Sequence, residues 1–442
     1  MSKYVYIETY GCQMNVNDSE VVAAILKEVG YEYTENITQA NLILINTCSI
    51  REHAENRVFQ RLHNIKKLRT HKSSLLIGVI GCMAERLREQ LFSHDVLTDI
   101  VAGPDSYRDL PRLVSIAARS KQAINVHLSK TETYDDIMPY RVGNNRISTF
   151  VSIMRGCNNF CTYCIVPYTR GRERSRAIDS IAKEVLDAVS MGYKEITLLG
   201  QNVNSYSLTQ NNTIFRFPDL LSHIARIAPH TRIRFSTSHP KDMDNELLEV
   251  VAKHKNICKW IHLPVQSGSS SVLQRMGRTY NREWYMQRVE AIRNIIPEAS
   301  ITSDIISGFC GETENEHQET LSLMKWVRYD LSYMFKYSER PGTIAARDYI
   351  DDVPEEVKTR RLNEIIALQN EISAQKNKQD EGKIFEVLVE GISKKSSEEF
   401  RGRNSQNKTI IFPKKHAKIG DYVSVHITDS NSATLRGTII NE

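Results

Sequence analysis

Three cysteines within eight residues constrain this chain more than any other feature of its sequence. Cys157, Cys161 and Cys164 follow a C-x3-C-x2-C spacing. Thiolates select zinc or iron–sulfur clusters, and three of them leave one coordination position without a cysteine. Structural zinc normally takes four protein ligands, usually from two separated pairs, so a short loop of three favours a cubane cluster with one open iron. A zinc loop or a ferredoxin-like loop is the alternative, but the ferredoxin form needs a fourth cysteine nearby.

Length and composition describe a multidomain globular protein with reduced thiols. The 442 residues predict about three domains of roughly 150 residues each. Eight cysteines are too few for a disulfide scaffold, and their clustering indicates metal binding in a reducing compartment. The amino terminus lacks the apolar stretch of a signal peptide, and no apolar run approaches the length of about 20 residues that spans a bilayer. A cytoplasmic protein with no membrane partner is therefore expected.

Residues 1–128 alternate short apolar strands with helical patterns, which favours an α/β domain with a doubly wound parallel sheet. Strands are predicted over residues 4–7, 42–45, 75–80 and 98–101. Cys12, Cys48 and Cys82 each follow one of the first three. Open α/β sheets bind ligands at the carboxyl ends of their strands, so three thiols at this edge suggest a second cluster with an open iron. Buried structural cysteines are the alternative.

Residues 129–146 are polar, are punctuated by proline and glycine, and are predicted to be a linker. Strand–helix alternation then restarts, and six βα units over residues 147–378 fit a partial (β/α)6 barrel. Function in such barrels lies at the carboxyl ends of the strands, and the Cys157 loop follows the first strand at that face. An aromatic residue beside the last cysteine and polar residues after later strands are the candidates for ligand contacts: Tyr163, Gly200, Gln201, Asn202, Ser236, Gln266 and Asp304.

Two basic segments indicate contacts with nucleic acid. Just after the Cys157 loop come Arg170, Arg172, Arg174 and Arg176; arginine forks match phosphates and stack on bases, although a solvated charged face is the alternative. Residues 379–442 change to short strands with glycine turns, which predicts a small all-β barrel. Basic residues between its strands suit phosphates, and a protein-docking surface is the alternative. The candidates there are Arg401, Arg403 and Lys408.

Motifs along the whole chain resemble those of one family. The cysteine loop is similar to the C-x3-C-x-aromatic-C motif of the radical S-adenosylmethionine (SAM) superfamily. Segments 8–15 (ETYGCQMN), 46–52 (NTCSIRE), 81–83 (GCM) and 155–176 resemble the methylthiotransferase family within it. Segment 400–403 (FRGR) looks like that family's TRAM module. The resemblance extends over essentially the whole chain, in the family's domain order.

The resemblance implies an enzyme that uses two 4Fe–4S clusters and SAM. The implied ligands are Cys157, Cys161 and Cys164 for the SAM-binding cluster and Cys12, Cys48 and Cys82 for an auxiliary cluster whose open iron carries sulfur. One SAM supplies a methyl group. A second SAM is cleaved reductively to a 5′-deoxyadenosyl radical, which activates C2 of a modified adenine for transfer of the methylthio group. The candidate residues at the strand ends would then hold the parts of SAM.

The implied substrate is tRNA whose adenine next to the anticodon bears an isopentenyl group. The same chemistry on threonylcarbamoyl-adenosine in tRNA, or on a ribosomal-protein aspartate, is the alternative, and the basic terminal module favours RNA. A non-catalytic iron–sulfur scaffold would leave both open coordination positions unexplained. An electron donor and a monomeric state are also expected. Cys310 stands where the family usually has proline, and neither Cys258 nor Cys310 is expected to be a ligand.

Overall fold

The computed structural model describes residues 3–48, 52–70, 72–93, 98–120, 122–143 and 146–440, which form three successive units. Ser49, Ile50 and Arg51 of the second motif, and Asn144 and Asn145 of the predicted linker, lie outside the described residues. Within the described ranges, every helix is too short or too polar to cross a bilayer.

The amino-terminal unit is a parallel sheet with helices on both faces. Its elements are β1 (Lys3–Tyr10), α1 (Gln13–Glu28), β2 (Tyr31–Tyr33), β3 (Leu42–Thr47), α2 (Glu52–Lys66), β4 (Leu76–Gly81), α3 (Cys82–Leu87), β5 (Ile100–Ala102), α4 (Leu110–Ser120) and β6 (Ala123–Asn125). The strand order is β2-β1-β3-β4-β5-β6, with every pair parallel. This arrangement confirms the predicted doubly wound sheet, to which the structure adds the three-residue strands β2 and β6.

The central strand β3 shows why this sequence folds into a two-sided layer. All six of its residues are buried, and successive side chains of a strand point to opposite faces. Leu42 and Leu44 pack in the cluster that includes α1 and α4, whereas Ile43 and Ile45 pack in the cluster that includes α2 and α3. A continuous apolar run is typical of a parallel strand covered on both faces.

The central unit is the predicted partial barrel. Its elements are β7 (Ser148–Ser152), β8 (Met154–Arg155), α5 (Val166–Arg170), β9 (Arg174–Ser175), α6 (Ile178–Ser190), β10 (Glu195–Leu199), β11 (Ser207–Gln210), β12 (Thr213–Arg216), α7 (Phe217–Ile227), β13 (Arg232–Ser236), α8 (Asn245–Lys253), β14 (Trp260–His262), α9 (Ser270–Arg275), α10 (Arg282–Ile295), β15 (Ser300–Ser307), α11 (Glu314–Val327), β16 (Leu331–Lys336), α12 (Ile344–Asp348) and α13 (Glu355–Lys378). Parallel strands pair in the orders β13-β10-β7 and β14-β15-β16. A parallel bridge between Ile233 and Ile257 joins the two halves. The hairpin of β11 and β12 was not predicted.

The carboxyl-terminal unit is a closed five-stranded barrel. Its strands are β17 (Ile384–Ile392), β18 (Glu399–Arg403), β19 (Thr409–Pro413), β20 (Tyr422–Ser430) and β21 (Leu435–Ile439), in the order β17-β18-β19-β21-β20. The sequence pattern predicts strands over residues 384–389, 409–412, 422–427 and 434–440 and misses β18, because the charged residues of β18 hide the strand pattern. Gly402 in β18 has no room for a side chain, since a Cβ there would lie 2.2 Å from the Leu388 carbonyl oxygen.

The carboxyl-terminal barrel docks on the amino ends of the central strands. Glu195, the first residue of β10, is 1% exposed and accepts hydrogen bonds from Arg234 Nε at 2.8 Å and Arg403 Nη2 at 2.9 Å. Arg234 also donates to the Asn404 carbonyl at 2.8 Å. A buried network of ion pairs therefore joins these two units at the end of the central barrel opposite the Cys157 loop.

Candidate iron–sulfur and RNA-binding sites

Three neighbouring strands of the amino-terminal sheet end side by side, and a cysteine follows each of them. The last residues of β1, β3 and β4 are register partners, so Cys12, Cys48 and Cys82 lie along one edge of the sheet. Cys12 is exposed, and the other two are buried. Cys48 follows the middle one of these three strands and so lies between the other two thiols. Residues more than thirty positions apart in the sequence thus form one group, which we call the amino-terminal thiol set.

The surroundings of this set favour thiolates at its two outer positions. The neighbouring Cys48 thiol, aided by the Arg170 cation, lowers the pKa of Cys12 to about 6. The same two causes lower the pKa of Cys82 to about 7, and the pKa of Cys48 is correspondingly raised. The thiolate is the form of cysteine that binds metals, so the set is prepared for a soft metal group.

Close backbone packing and two buried asparagines fix the shape of this edge. Gly11 has φ +139°, and a Cβ there would lie 2.6 Å from the Cβ of Cys48. Asn15 Nδ2 donates to Asn46 Oδ1 at 2.9 Å, and Asn46 Nδ2 donates to the Asn15 carbonyl at 2.8 Å. Asn15 Oδ1 also accepts from the Cys12 thiol at 3.2 Å. Sequence reasoning assigned these asparagines no role, although both lie in the cysteine motifs.

The second group, which we call the central thiol set, is Cys157, Cys161 and Cys164 in the loop after β8. Gly156 begins this loop with φ +79°, and a Cβ there would lie 2.0 Å from the Arg172 carbonyl oxygen. The loop is then held from the side by the Gln201 side chain, whose Oε1 accepts from the Gly156 N–H at 2.5 Å. These contacts fix the start of the loop before any ligand binds.

Contacts from two later segments of the chain hold the middle of this loop. The Thr162 N–H donates to the Met276 carbonyl at 2.9 Å, and the Ala345 N–H donates to the Thr162 carbonyl at 2.7 Å. Burial raises the pKa of Cys157 to about 11 and that of Cys164 to about 12. Cys157 and Cys164 therefore need a bound metal to ionise at neutral pH.

One buried arginine approaches a sulfur in each thiol set. Arg278 Nη1 lies 3.4 Å from Cys161 Sγ, and Arg170 Nε lies 3.2 Å from Cys82 Sγ. Sequence reasoning missed Arg278, since it lies in a loop 117 residues from its cysteine. Each arginine places a cation and an N–H donor beside a thiol that is a candidate metal ligand.

The spacing of the sulfurs argues against a single zinc ion in either set. Among the described residues, only Glu314, His317 and Glu364 bring three ligand atoms within 4.8 Å of one another. A tetrahedral zinc site with Zn–S bonds of about 2.3 Å would hold its sulfurs about 3.8 Å apart. Neither thiol set brings all three of its sulfurs within 4.8 Å of one another, so the spacing disfavours a single zinc ion, whereas three thiolates are suitable ligands for an iron–sulfur cluster with one open iron.

The other residues predicted to contact SAM lie on or just after the central strands, or in the Cys157 loop itself. Gly200 packs so closely on Met154 that a Cβ would lie 2.6 Å from the Met154 Cγ. Asn202 is buried, and its amide oxygen accepts a hydrogen bond from the His239 N–H at 3.1 Å. That oxygen therefore already has a partner within the protein. Ser236 is half-buried at the carboxyl end of β13.

The remaining three residues predicted to contact SAM lie on the second half of the barrel or in the Cys157 loop. Gln266 is buried, with φ +74°, and its N–H donates to the Asp304 carbonyl at 2.9 Å. The Asp304 side chain is half-buried, 3.6 Å from His262 Nε2. The Tyr163 hydroxyl lies 3.5 Å from Arg278 Nη1. Contacts of these side chains with SAM stay predictions.

Three of the four arginines after the loop do not form the solvent-facing phosphate site that the sequence predicted. Arg170, Arg174 and Arg176 are 3%, 6% and 4% exposed. Their partners are carboxylates, in the pairs Arg170–Asp18 at 2.8 Å, Arg174–Asp105 at 2.7 Å and Arg176–Glu184 at 2.7 Å. A charge buried in the interior must be paired, so two of these arginines hold the amino-terminal unit against the central one instead of binding RNA.

Arg172 alone of the four is exposed. Its guanidinium lies 4.2 Å from the centre of the Phe160 ring, and Phe160 meets Tyr168 edge to face at 6.0 Å. Tyr168 is 37% exposed. These three residues form a surface beside the central thiol set, which we call the aromatic surface.

The basic residues predicted in the carboxyl-terminal barrel also need correction. Arg403 binds Glu195 and, at 2.5 Å, Glu390. Lys408 binds Asp380 at 2.6 Å and lies 3.4 Å from Asp330 of the central unit, and its side chain is 13% exposed. Both residues therefore serve the contact with the central unit, because their charges are neutralised there, whereas Arg401 is exposed.

Family models match all three units. The Uncharacterized protein family UPF0004 matches residues 4–103, the Radical SAM superfamily residues 151–324, and the TRAM domain residues 378–440. Among solved structures, the radical SAM methyltransferase TsrM from Kitasatospora setae has a TM-score of 0.57 at 13% identity and covers 78% of this chain and 77% of its own. The cobalamin-dependent SAM radical enzyme OxsB has a TM-score of 0.55 at 15% identity, covering 83% of this chain and 56% of its own. Both likenesses show the fold.

Curated relatives match the whole chain at high identity. A Porphyromonas gingivalis protein named tRNA-2-methylthio-N(6)-dimethylallyladenosine synthase is 57% identical over 440 residues, which cover 99% of this chain and 95% of the relative. A Bacteroides fragilis protein with the same name is 55% identical over 437 residues, which cover 99% of this chain and 95% of the relative. Its three units, its two thiol sets and these full-length matches show that the chain belongs to the tRNA-2-methylthio-N(6)-dimethylallyladenosine synthase family of radical SAM enzymes.

Proposed function

We propose that this protein is a methylthiotransferase that uses SAM to modify C2 of N6-isopentenyladenosine next to the anticodon of tRNA. The observation that carries the proposal is the pairing of two three-thiol sets across one domain boundary. Helix α5 starts just after Cys164, and its last residue, Arg170, reaches Cys82 of the other set. Helix α5 is only about 7.5 Å long, because it has five residues at 1.5 Å per residue. A short helix therefore links the loop of one thiol set to a residue that contacts the other.

When bound, the two 4Fe–4S clusters supply the electron that cleaves SAM and the sulfur that is transferred. The carbon–hydrogen bond of an adenine ring offers no proton that a side-chain base removes at neutral pH. The chain's own residues therefore bind, orient and shield the reactants. The contacts of Gly156 and Thr162 keep the central loop rigid, and rigid placement of reacting groups lowers the barrier to reaction.

The aromatic surface is the part of the site that supports binding of an RNA loop. Proteins read single-stranded RNA by stacking unstacked bases on aromatic rings and arginine planes. Phe160 and Tyr168 offer rings beside the central thiol set, and Arg172 offers an exposed guanidinium. An anticodon-loop base that leaves its stack would thus meet a stacking partner next to the reactive centre.

The proposal includes several finer points. Cys12, Cys48 and Cys82 hold the auxiliary cluster. An external electron donor is required, because each reductive cleavage of SAM consumes one electron. The protein works as a monomer, since one chain carries both thiol sets. It works in the cytoplasm. The same chemistry on threonylcarbamoyl-adenosine or on a ribosomal-protein aspartate remains the competing assignment.

The test compares matched RNA substrates. Reconstituted, reduced protein is incubated with SAM and anticodon stem-loops that carry isopentenyladenosine, threonylcarbamoyl-adenosine or plain adenosine at the same position. Mass spectrometry of the nucleosides should detect the methylthio group only on the isopentenylated loop, even where binding of the loops is similar. Equal methylthiolation of the plain loop, or preference for the threonylcarbamoyl loop or for a ribosomal protein, would contradict the proposed substrate.

A further inference from the structure

Arg170 belongs to the central unit but completes the surroundings of the amino-terminal thiol set. Its Nε lies 3.2 Å from Cys82 Sγ, and its Nη2 lies 2.8 Å from Asp18 Oδ2. The side chain is 3% exposed. Its third nitrogen, Nη1, is buried without a hydrogen-bond partner in the described part of the chain. Such a donor is costly to bury unless it meets an acceptor, and the thiol set is next to it.

The charges around Arg170 leave a net positive charge beside the sulfurs. Asp18 is fully buried and is shared by two arginines, with Arg155 Nη1 at 2.8 Å from its other oxygen. The Tyr107 hydroxyl donates to the same carboxylate at 3.3 Å. Asp105 lies 3.6 Å from Arg155 Nε but is shared with Arg174. Two carboxylates therefore balance only two of three guanidinium groups, and Arg170 is the one that faces the thiols.

We propose that Arg170 is a positioning residue for the amino-terminal thiol set: it holds the Cys82 sulfur from across the domain boundary and raises the reduction potential of the cluster bound there. Hydrogen bonds to ligand sulfurs are among the features that set cluster potentials. Reduction adds negative charge, and a nearby buried cation stabilises the more negative state. The inference rests on the proposed auxiliary cluster.

The structure supplies a matched control in Arg155. Arg155 is 1% exposed, binds the same Asp18, and crosses the same boundary to the Pro104 carbonyl at 3.0 Å. Its hydrogen bonds within the described residues go to oxygen atoms and not to a cysteine sulfur. Replacing Arg155 thus weakens the domain contact and spares the sulfur contact.

The experiment uses full-length protein in which the three central cysteines are alanine, so that any cluster signal comes from the amino-terminal set. Arg170→Gln and Arg155→Gln are each added, and the reduction midpoint is followed by electron paramagnetic resonance. Arg170→Gln should lower the reduction equilibrium constant at least tenfold, about 59 mV for one electron, relative to Arg155→Gln. Arg170→Lys, which keeps the charge, should recover part of the shift.

Equal midpoints for the two glutamine variants would overturn the inference. If the Arg170→Gln variant fails to bind iron while the Arg155→Gln variant binds it normally, the positioning role is supported. Equal loss of iron in both variants would assign the effect to the domain contact and overturn the inference. Absence of iron from the parent protein with both arginines intact would instead refute the proposed auxiliary cluster, which separates the two failures.

Discussion

Replacing Arg403 by alanine should loosen the docking of the carboxyl-terminal barrel. The substitution removes the hydrogen bond to Glu195 Oε1 at 2.9 Å and the one to Glu390 at 2.5 Å. Glu195 stays buried, and within the described part of the chain its carboxylate keeps the bond from Arg234 Nε to its other oxygen. A single substitution is preferable to deleting residues 382–442, because deletion would expose Glu195 and the whole end of the barrel.

The size of the effect follows from the geometry of this pair. Breaking a buried ion pair typically costs about 3–5 kcal/mol. Glu195 keeps its bond to Arg234, and the Arg403 side chain is itself 27% exposed. We therefore expect the free energy of docking to fall by about 2–3 kcal/mol, at or just below the low end of that range. At about 1.4 kcal/mol per factor of ten, the population of the undocked state should rise roughly 30- to 150-fold.

Limited proteolysis measures this population directly. Cleavage of the segment between α13 and β17 should accelerate by that factor when opening and closing are fast relative to cleavage. Arg401→Ala is the matched control, since Arg401 is exposed two residues earlier on the same strand. Exposed substitutions usually change stability by less than about 0.5 kcal/mol, so its cleavage rate should match that of the parent protein.

One result would refute this reasoning and restore the prediction from the sequence. If Arg403→Ala leaves the cleavage rate unchanged but weakens tRNA binding and makes its salt dependence shallower by about one phosphate contact, then Arg403 binds RNA. The interface role would then be wrong.

Two further predictions concern the clusters and the effect of pH. Replacing the three central cysteines by alanine should remove about half of the iron and sulfide, because each thiol set is proposed to hold one cubane cluster; loss of all or none would contradict two independent sites. Burial, with the nearby Arg278 cation, lowers the pKa of His239 from 6.5 to about 2, so the unfolded chain binds a proton that the folded one does not once the pH falls below 6.5. Stability should therefore be lost below that pH by up to about 1.4 kcal/mol per unit. The Asn side-chain oxygen can replace the Nδ1 atom of His239 as acceptor for the Lys241 N–H. The urea midpoint of the His239→Asn variant should therefore fall less between pH 6.5 and 5.5 than that of the parent protein. Equal falls in the two proteins would exclude His239 as the cause.

The periodicity of the sequence was enough to predict the architecture of the three units. A short, continuous apolar run such as residues 42–45 is typical of a parallel strand covered on both faces, and in the structure it is one. The four strands predicted from the sequence correspond to β1, β3, β4 and β5, which lie side by side in that order, as short connections favour. Cysteines directly after such strands must therefore reach one edge, which is why Cys12, Cys48 and Cys82 could be grouped in advance.

Only the tertiary structure decided what the charged residues do. An arginine in a sequence is equally compatible with a phosphate contact and a buried ion pair, because its environment depends on which carboxylate the fold brings to it. Asp18 lies 152 residues from Arg170, and Glu195 lies 208 residues from Arg403. No local sequence pattern predicts pairs of residues that are so far apart along the chain. The sequence by itself thus determined the layers and the thiol sets, whereas long-range packing assigned the arginines to domain contacts and placed one beside a cysteine sulfur.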